Sequence, residues 1–126
     1  MFFENITWMV LCIYFEARGE NIETKIGIAQ VVMNRSVSRH KSFKDVVTED
    51  KQFSWYNGGS IPEIEEPEVL WRCVRAAWIC MVRRASGDTF KGANHFYDDS
   101  IKPPWWSFTM KKVGKLGKMH FYKGKR

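Results

Sequence analysis

Trp8-Met9-Val10-Leu11-Cys12-Ile13-Tyr14-Phe15-Glu16-Ala17-Arg18-Gly19-Glu20 is the stretch around which the rest of the chain is read. Its apolar and aromatic residues run unbroken from Trp8 to Phe15 and stop at Glu16. Periodicity alone does not separate a buried strand from a buried helix over such a run. Two cues favour a helix: Asn5 or Thr7 offers a side-chain oxygen to the free amides of a first turn, and Gly19 can take the left-handed position that closes a helix. A helix that is apolar all round must be buried, so this segment is expected to be the central one. Glu16 then sits in its last turn, beside the core and near the negative end of the helix dipole. Both effects disfavour the ionised carboxylate and raise its pKa. A glutamate kept protonated near neutrality has the property a general acid needs. Glu16 can equally mark where the helix meets solvent, pairing with Arg18 or a distant lysine. The local sequence leaves both readings open.

A chain of 126 residues can bury a core of its own, and residues 1–126 read as one domain. The net charge of +6 is concentrated at one end: from Ser100 onward there are eight Lys/Arg and no Asp/Glu, while the first 99 residues hold fourteen acids against twelve bases. A basic segment over about 100–126 points to an anionic partner or to a solvated, solubilising end. Cys73 and Cys80 are seven apart on an expected helix, about 10.5 Å by helical rise and too far for a disulfide. With Cys12 in the apolar run, the three read as reduced core thiols made in a reducing compartment. Glu4 stands where a signal peptide would carry positive charge, and the apolar run is too short to span a bilayer. The expectation is a protein made in the cytoplasm without a signal peptide.

Asn21 caps a second helical pattern through Ile22, Ile26, Ala29, Val32 and Met33 to about Val37, with Gln30 and Asn34 on one face. A short turn of helix is expected over Phe43 to Val47, and Tyr56-Asn57-Gly58-Gly59 signals a loop. The longest helix starts at Pro67 after an acidic run, carries Arg83 and Arg84 in its last turn and ends at Gly87. Its core positions are Leu70, Cys73, Val74, Ala77, Cys80 and Met81. Beyond it the pattern changes: Asn94-His95-Phe96-Tyr97 and Met119-His120-Phe121-Tyr122 read as short strands, with an extended Lys102-Pro103-Pro104-Trp105-Trp106 between them.

Much familiar chemistry is missing. There is no glycine-rich phosphate loop, no His-Glu-x-x-His pair and no nucleophile elbow, and His40, His95 and His120 lack ligand spacing with the cysteines. No metal and no cofactor is expected. What remains is a carboxylate site around Glu16. Glu20, four residues on, reads as a cap or as a partner of Arg18 or Lys25, since Gly19 turns the chain between the two acids. Gln52, Ser54, Trp55, His95, Tyr97, Trp105 and Tyr122 form a set of polar-tipped aromatics, hydroxyls and an amide of the kind that stacks on pyranose faces and binds N-acetyl groups.

The ordered set Glu16-Ala-Arg-Gly-Glu20, Ile28-Ala-Gln-Val-Val-Met-Asn-Arg35, Gln52-Phe-Ser-Trp55, Asn94-His-Phe-Tyr97, Lys102-Pro-Pro-Trp-Trp106 and His120-Phe-Tyr122 resembles the spore-cortex-lytic cell-wall hydrolases of the SleB/CwlJ type, over roughly Asn5 to Tyr122. The resemblance implies an α+β, mainly helical, compact lysozyme- or lytic-transglycosylase-like domain with a small β element. It implies cleavage of the β-1,4 bond between N-acetylmuramic acid and N-acetylglucosamine in peptidoglycan glycan strands, with Glu16 as the catalytic acid. Hydrolysis by the usual route needs a second carboxylate. A lytic transglycosylase does without one, because the muramic acid C6 hydroxyl attacks the anomeric carbon. That reaction leads here, with a hydrolytic muramidase second; Asp98 and Asp99 keep the second open. Gln52, Ser54, His95 and Tyr97 are expected to orient substrate, and Trp55, Trp105 and Tyr122 to wall the groove.

Spore enzymes of this type commonly carry an export signal and often a wall-binding domain. A lone basic catalytic domain looks more like a monomeric bacteriophage endolysin, made in the host cytoplasm, released through a holin and drawn by its C-terminal lysines to the anionic envelope. Two other classes compete. A nucleic-acid-binding module explains the basic aromatic end but not Glu16, and no nucleic acid is expected as partner. A non-catalytic wall-binding relative would hold the wall without lysing it.

Overall fold

The computed structural model describes residues 2–49, 53–56 and 59–125, and within these the fold is built around the apolar run. Helix α1 (Phe2–Ala17) contacts three other helices, α2 (Ile22–Arg39), α3 (Phe43–Thr48) and α4 (Pro67–Ala85). Met9, Val10, Cys12, Ile13 and Tyr14 are all buried, which is why a segment with no polar face is stable as a helix here. The helix begins earlier than its capping residues suggest. Asn5 lies inside it and uses its Oδ1 to accept the Lys44 amide of α3, at 3.2 Å, so it joins two helices rather than starting one. Gly19 is not left-handed; the helix closes at Ala17 in a turn in which the Glu20 amide donates to the Ala17 carbonyl.

Asn21 caps α2 by accepting the Thr24 amide at 2.9 Å, and His40 ends that helix in the left-handed conformation. On its buried face Gln30 donates to Asn34 at 3.2 Å. Helix α4 begins at Pro67 and is followed by Gly87 at φ +91°. Its inner face is Val69, Cys73, Ala76, Ala77 and Cys80. Val74, expected in the core, is exposed: it lies three residues from Trp71 and four from Trp78, and shares their outward stripe. All three cysteines are buried and unpaired. Among the described residues no helix is long and apolar enough to cross a membrane.

After α4 the chain forms a three-stranded antiparallel sheet in the order β1 (His95–Asp98), β3 (Met119–Lys123), β2 (Lys111–Leu116). The two expected strands pair directly, with His95 opposite Tyr122 and Tyr97 opposite His120. The inner face of the sheet carries Phe96 and the fully buried Phe121. Phe121 packs so closely on α2 that a Cβ at Gly27 would lie 2.8 Å from its ring, which accounts for a glycine in mid-helix. The Lys102–Trp106 stretch does not stay extended; from Trp105 it closes into a 3-10 turn, Trp105–Phe108.

Candidate active site

The burial that makes α1 a helix also sets the environment of Glu16 in its last turn. The side chain is half-buried, with no hydrogen bond or ion pair among the described residues. It opens into a cleft of about 450 Å³ whose wall is formed by the end of α1 and the turn after it (Glu16 to Glu20) on one side and by Asp98, Asp99, Ser100, Lys118 and Met119 on the other. Burial, reinforced by the negative charge of Asp98 and opposed by the Arg35 guanidinium, raises the Glu16 pKa to about 7. At neutral pH both its forms are therefore populated, as an acid–base group requires.

The groups acting on Glu16 come from different elements. Asp98 ends β1, and strand alternation turns it with Phe96 toward the helices. Its Oδ1 accepts from both the Ser100 amide, at 2.7 Å, and the Ser100 hydroxyl. Arg35 lies on the buried face of α2 and is 5% exposed. Its Nε donates to the Asn94 carbonyl at 2.8 Å, its guanidinium stands 5.5 Å over the Phe53 ring, and Nη1 is buried without a partner among the described residues. Burial lowers its pKa to about 10, which leaves it cationic at neutral pH. Asp99 sits 2.5 Å from His120 Nε2 and 3.6 Å from Lys115 Nζ, and the His120 contact holds its carboxyl below the usual range. Because Lys112 can only donate to His120 Nδ1, the ring proton lies on Nε2 and points at Asp99.

The near wall is tied down by Tyr14. Its hydroxyl accepts from the Glu66 amide at 2.8 Å and from Arg18 Nη1 at 3.1 Å, and Arg18 Nε pairs with Glu66 at 3.5 Å. Glu20 does not pair with Arg18 or Lys25 through its carboxylate. Its Oε1 accepts the Lys118 amide at 3.2 Å, and Lys25 Nζ donates instead to the backbone carbonyls of Arg18 and Glu20. Glu20 therefore braces the β2–β3 turn against the cleft.

The structure brings together only part of the set expected from sequence. Gln52 lies outside the described residues. Ser54 is exposed. Trp55 stacks on Phe15, the neighbour of Glu16, with ring centroids 4.8 Å apart. The indole N–H of Trp55 is buried without a partner among the described residues, and Trp55 is not among the residues that line the cleft. His95, Tyr97 and Tyr122 do not line the cleft. Alternation along β1 and β3 puts them on the other face of the sheet, where Trp106 packs against all three rings. Burial and the cations of Arg35 and Arg39 lower the His95 pKa to about 4, keeping it neutral. Trp105 stands 78% exposed on the 3-10 turn, outside the cleft. Arg35 and Ser100 were not singled out from the sequence, and Asp98 only as an open option. For Arg35 a signal existed: its helical spacing from Ile28, Val31 and Val32 put a cation on an apolar face.

The sequence pattern of the cell wall hydrolases matches residues 19–122. The chain belongs to the cell wall hydrolase family. Membership places it among enzymes that cleave peptidoglycan, and the match begins just after Glu16, at the turn that closes α1. Two solved structures share the fold. One is the catalytic domain of the germination-specific lytic transglycosylase SleB from Bacillus anthracis: TM-score 0.75, 22% identity, covering 94% of this chain and 93% of that one. The other, the catalytic domain of the Bacillus cereus SleB protein, has the same score and identity, covering 94% of this chain and 89% of that one. No curated protein sequence matches the chain. The expected mainly helical domain with a small β element agrees with these neighbours.

Proposed function

We propose that this cell wall hydrolase is a lytic transglycosylase of the muramic acid–glucosamine β-1,4 bond, with Glu16 as its acid and base. The observation that carries the reading is a carboxyl with a pKa of about 7 and no hydrogen-bond or ion-pair partner among the described residues, opening into a cleft of about 450 Å³. Protonated Glu16 gives its proton to the glycosidic oxygen as the bond to the anomeric carbon breaks. The muramic acid C6 hydroxyl then bonds to that carbon, and its proton returns to the Glu16 carboxylate, closing a 1,6-anhydro ring. No water is consumed and Glu16 ends as it began. The description of the Bacillus anthracis relative as a lytic transglycosylase supports the same assignment.

One observation favours a second reading. Asp98 shares the cleft with Glu16, and in a hydrolytic muramidase it would serve as base or nucleophile. Mass spectrometry of soluble products from purified peptidoglycan decides between them, with Glu16→Gln beside the wild type. Anhydromuropeptides from the wild type and none from the variant support the transglycosylase. Reducing muropeptides, one water heavier, would replace it with the hydrolase, and no release by either protein would refute both. We further propose the biological setting of a bacteriophage endolysin, made in the host cytoplasm and released to the wall. The three buried, unpaired thiols and the basic C-terminal segment support that setting.

A further inference from the structure

At the end of the sheet away from the cleft, the charge pattern departs from ordinary strand pairing. Lys111 on β2 stands directly opposite Lys123 on β3, and like charges in register destabilise a sheet. Together with Lys125 they line an open hollow of about 700 Å³ whose wall, among the described residues, holds no carboxylate side chain. None of the three lysines has an ion-pair partner among the described residues, whereas Lys115 pairs with Asp99. The segment is also fixed in place: Gly124 gives its amide to Asn94 Oδ1 at 2.8 Å, and its carbonyl accepts from Asn94 Nδ2 at 3.1 Å.

Immediately before the hollow, Trp105 and Phe108 are each 78% exposed. They begin and end a 3-10 turn, in which residues three apart eclipse, so the two rings form one ledge. Phe108 leads directly into Thr109, which lines the hollow. Exposed apolar surface continuous with unneutralised charge marks a binding surface rather than a solvated tail.

We propose that this ledge and hollow form a binding site for a phosphorylated polysaccharide, with sugar rings on Trp105 and Phe108 and phosphates on Lys111, Lys123 and Lys125. The choice of polysaccharide over other polyanions rests on the peptidoglycan-cleaving role, because an enzyme working in the wall meets phosphate as part of envelope glycans. The site is separate from the catalytic one. Met119 at one end of β3 lines the cleft and Lys123 at the other lines the hollow, about 13 Å away by strand rise. A glycan held there tethers the enzyme to the envelope without occupying the cleft.

The test is binding of the full chain, at fixed ionic strength, to lipopolysaccharide and to teichoic-acid-bearing wall fragments, each intact and after chemical removal of phosphate. At least one intact polymer should bind tenfold or more tightly than its dephosphorylated form, and the two arms identify the source. Lys111→Glu with Lys123→Glu should abolish that preference, Lys111→Gln with Lys123→Gln should weaken it, and Phe108→Ser should lower affinity severalfold. All three variants should keep wild-type kcat on short soluble glycan fragments. Lys111→Glu should also raise the unfolding midpoint slightly, because it removes a cross-strand repulsion. Equal binding after dephosphorylation, equal binding by the lysine variants, or equally tight binding of single-stranded DNA would overturn the proposal. A chain that binds the polymer but releases no muropeptide would instead overturn the catalytic reading and leave this site standing.

Discussion

Replacing Glu16 with glutamine tests the electrostatics of the cleft without any substrate. The carboxyl pKa rises from an ordinary 4.5 to about 7 in the folded chain. Folding therefore gains from the Glu16 proton below pH 4.5, and that gain is lost as pH rises through 7, where the folded state too must hold an ionised carboxylate. A gap of about 2.5 units corresponds to at most about 3.4 kcal/mol at about 1.36 kcal/mol per unit. Glu16 faces an open cleft, and solvent screening reduces the figure to about 2 kcal/mol. Glutamine copies the protonated form at every pH. Glu16→Gln should therefore match the wild type near pH 4 and exceed it by about 2 kcal/mol at pH 8, with the difference opening between 4.5 and 7. Urea unfolding reads this as a midpoint shift of about 1 M at pH 8, for a slope of about 2 kcal/mol per molar. A pH-independent difference, or a variant less stable than wild type at pH 8, would refute the reasoning and make Glu16 an ordinary surface carboxylate.

Asp98→Asn removes a negative charge that raises the Glu16 pKa, so the alkaline limb of the pH–rate profile should move to lower pH. Its activity loss should be greater at pH 8 than at pH 6, whereas a variant merely misfolded would lose activity equally at both. Gly27→Ala places a methyl 2.8 Å from the Phe121 ring. Thermal unfolding should show a net loss of about 1–2 kcal/mol, because overpacking exceeds the gain in helix propensity. Tyr14→Phe leaves the Glu66 amide without its acceptor and leaves Arg18 at the cleft wall with its Glu66 ion pair but without its hydroxyl partner. It should lower stability by about 1–3 kcal/mol in denaturant titrations and change KM more than the Gly27 variant does.

The helices were legible because their signals are local. The apolar run of α1, the Asn21 cap of α2 and the Pro67 and Gly87 boundaries of α4 each lie within a few residues of what they determine. Strand β2 was not legible: Lys111-Lys112-Val113-Gly114-Lys115-Leu116 has too many lysines and a glycine, and it is stable because it is an edge strand paired along β3. The same difference explains the cleft. The place of Glu16 in the last turn of a buried helix was legible from that helix alone, but the distinction between Asp98, which shares the cleft with it, and Tyr97, which turns away, depends on which side of the sheet meets the helices. His95, Tyr97 and Tyr122 do cluster, as their shared composition suggested, yet around Trp106 on the opposite face.

Three separate elements set the proton affinity of Glu16, and their balance fits a group with two tasks. An acid must hold its proton until the leaving oxygen needs it, and a base must accept one back from the attacking hydroxyl. A single residue does both best when its pKa lies near the working pH. Burial at the end of α1 raises that pKa, and the Asp98 carboxylate on β1 raises it further. Left alone, those two would keep Glu16 protonated and make it a weaker proton donor. Arg35 opposes them from α2, where its burial keeps the positive charge unscreened and its bond to the Asn94 carbonyl fixes its place beside β1. The guanidinium favours the ionised form of Glu16, which in the proposed cycle would be the form left after the first proton transfer. An uncompensated buried arginine in a helix core is costly. Near Glu16 its charge eases ionisation of the carboxyl, and under the mechanism proposed above that would help Glu16 release its proton to the leaving oxygen.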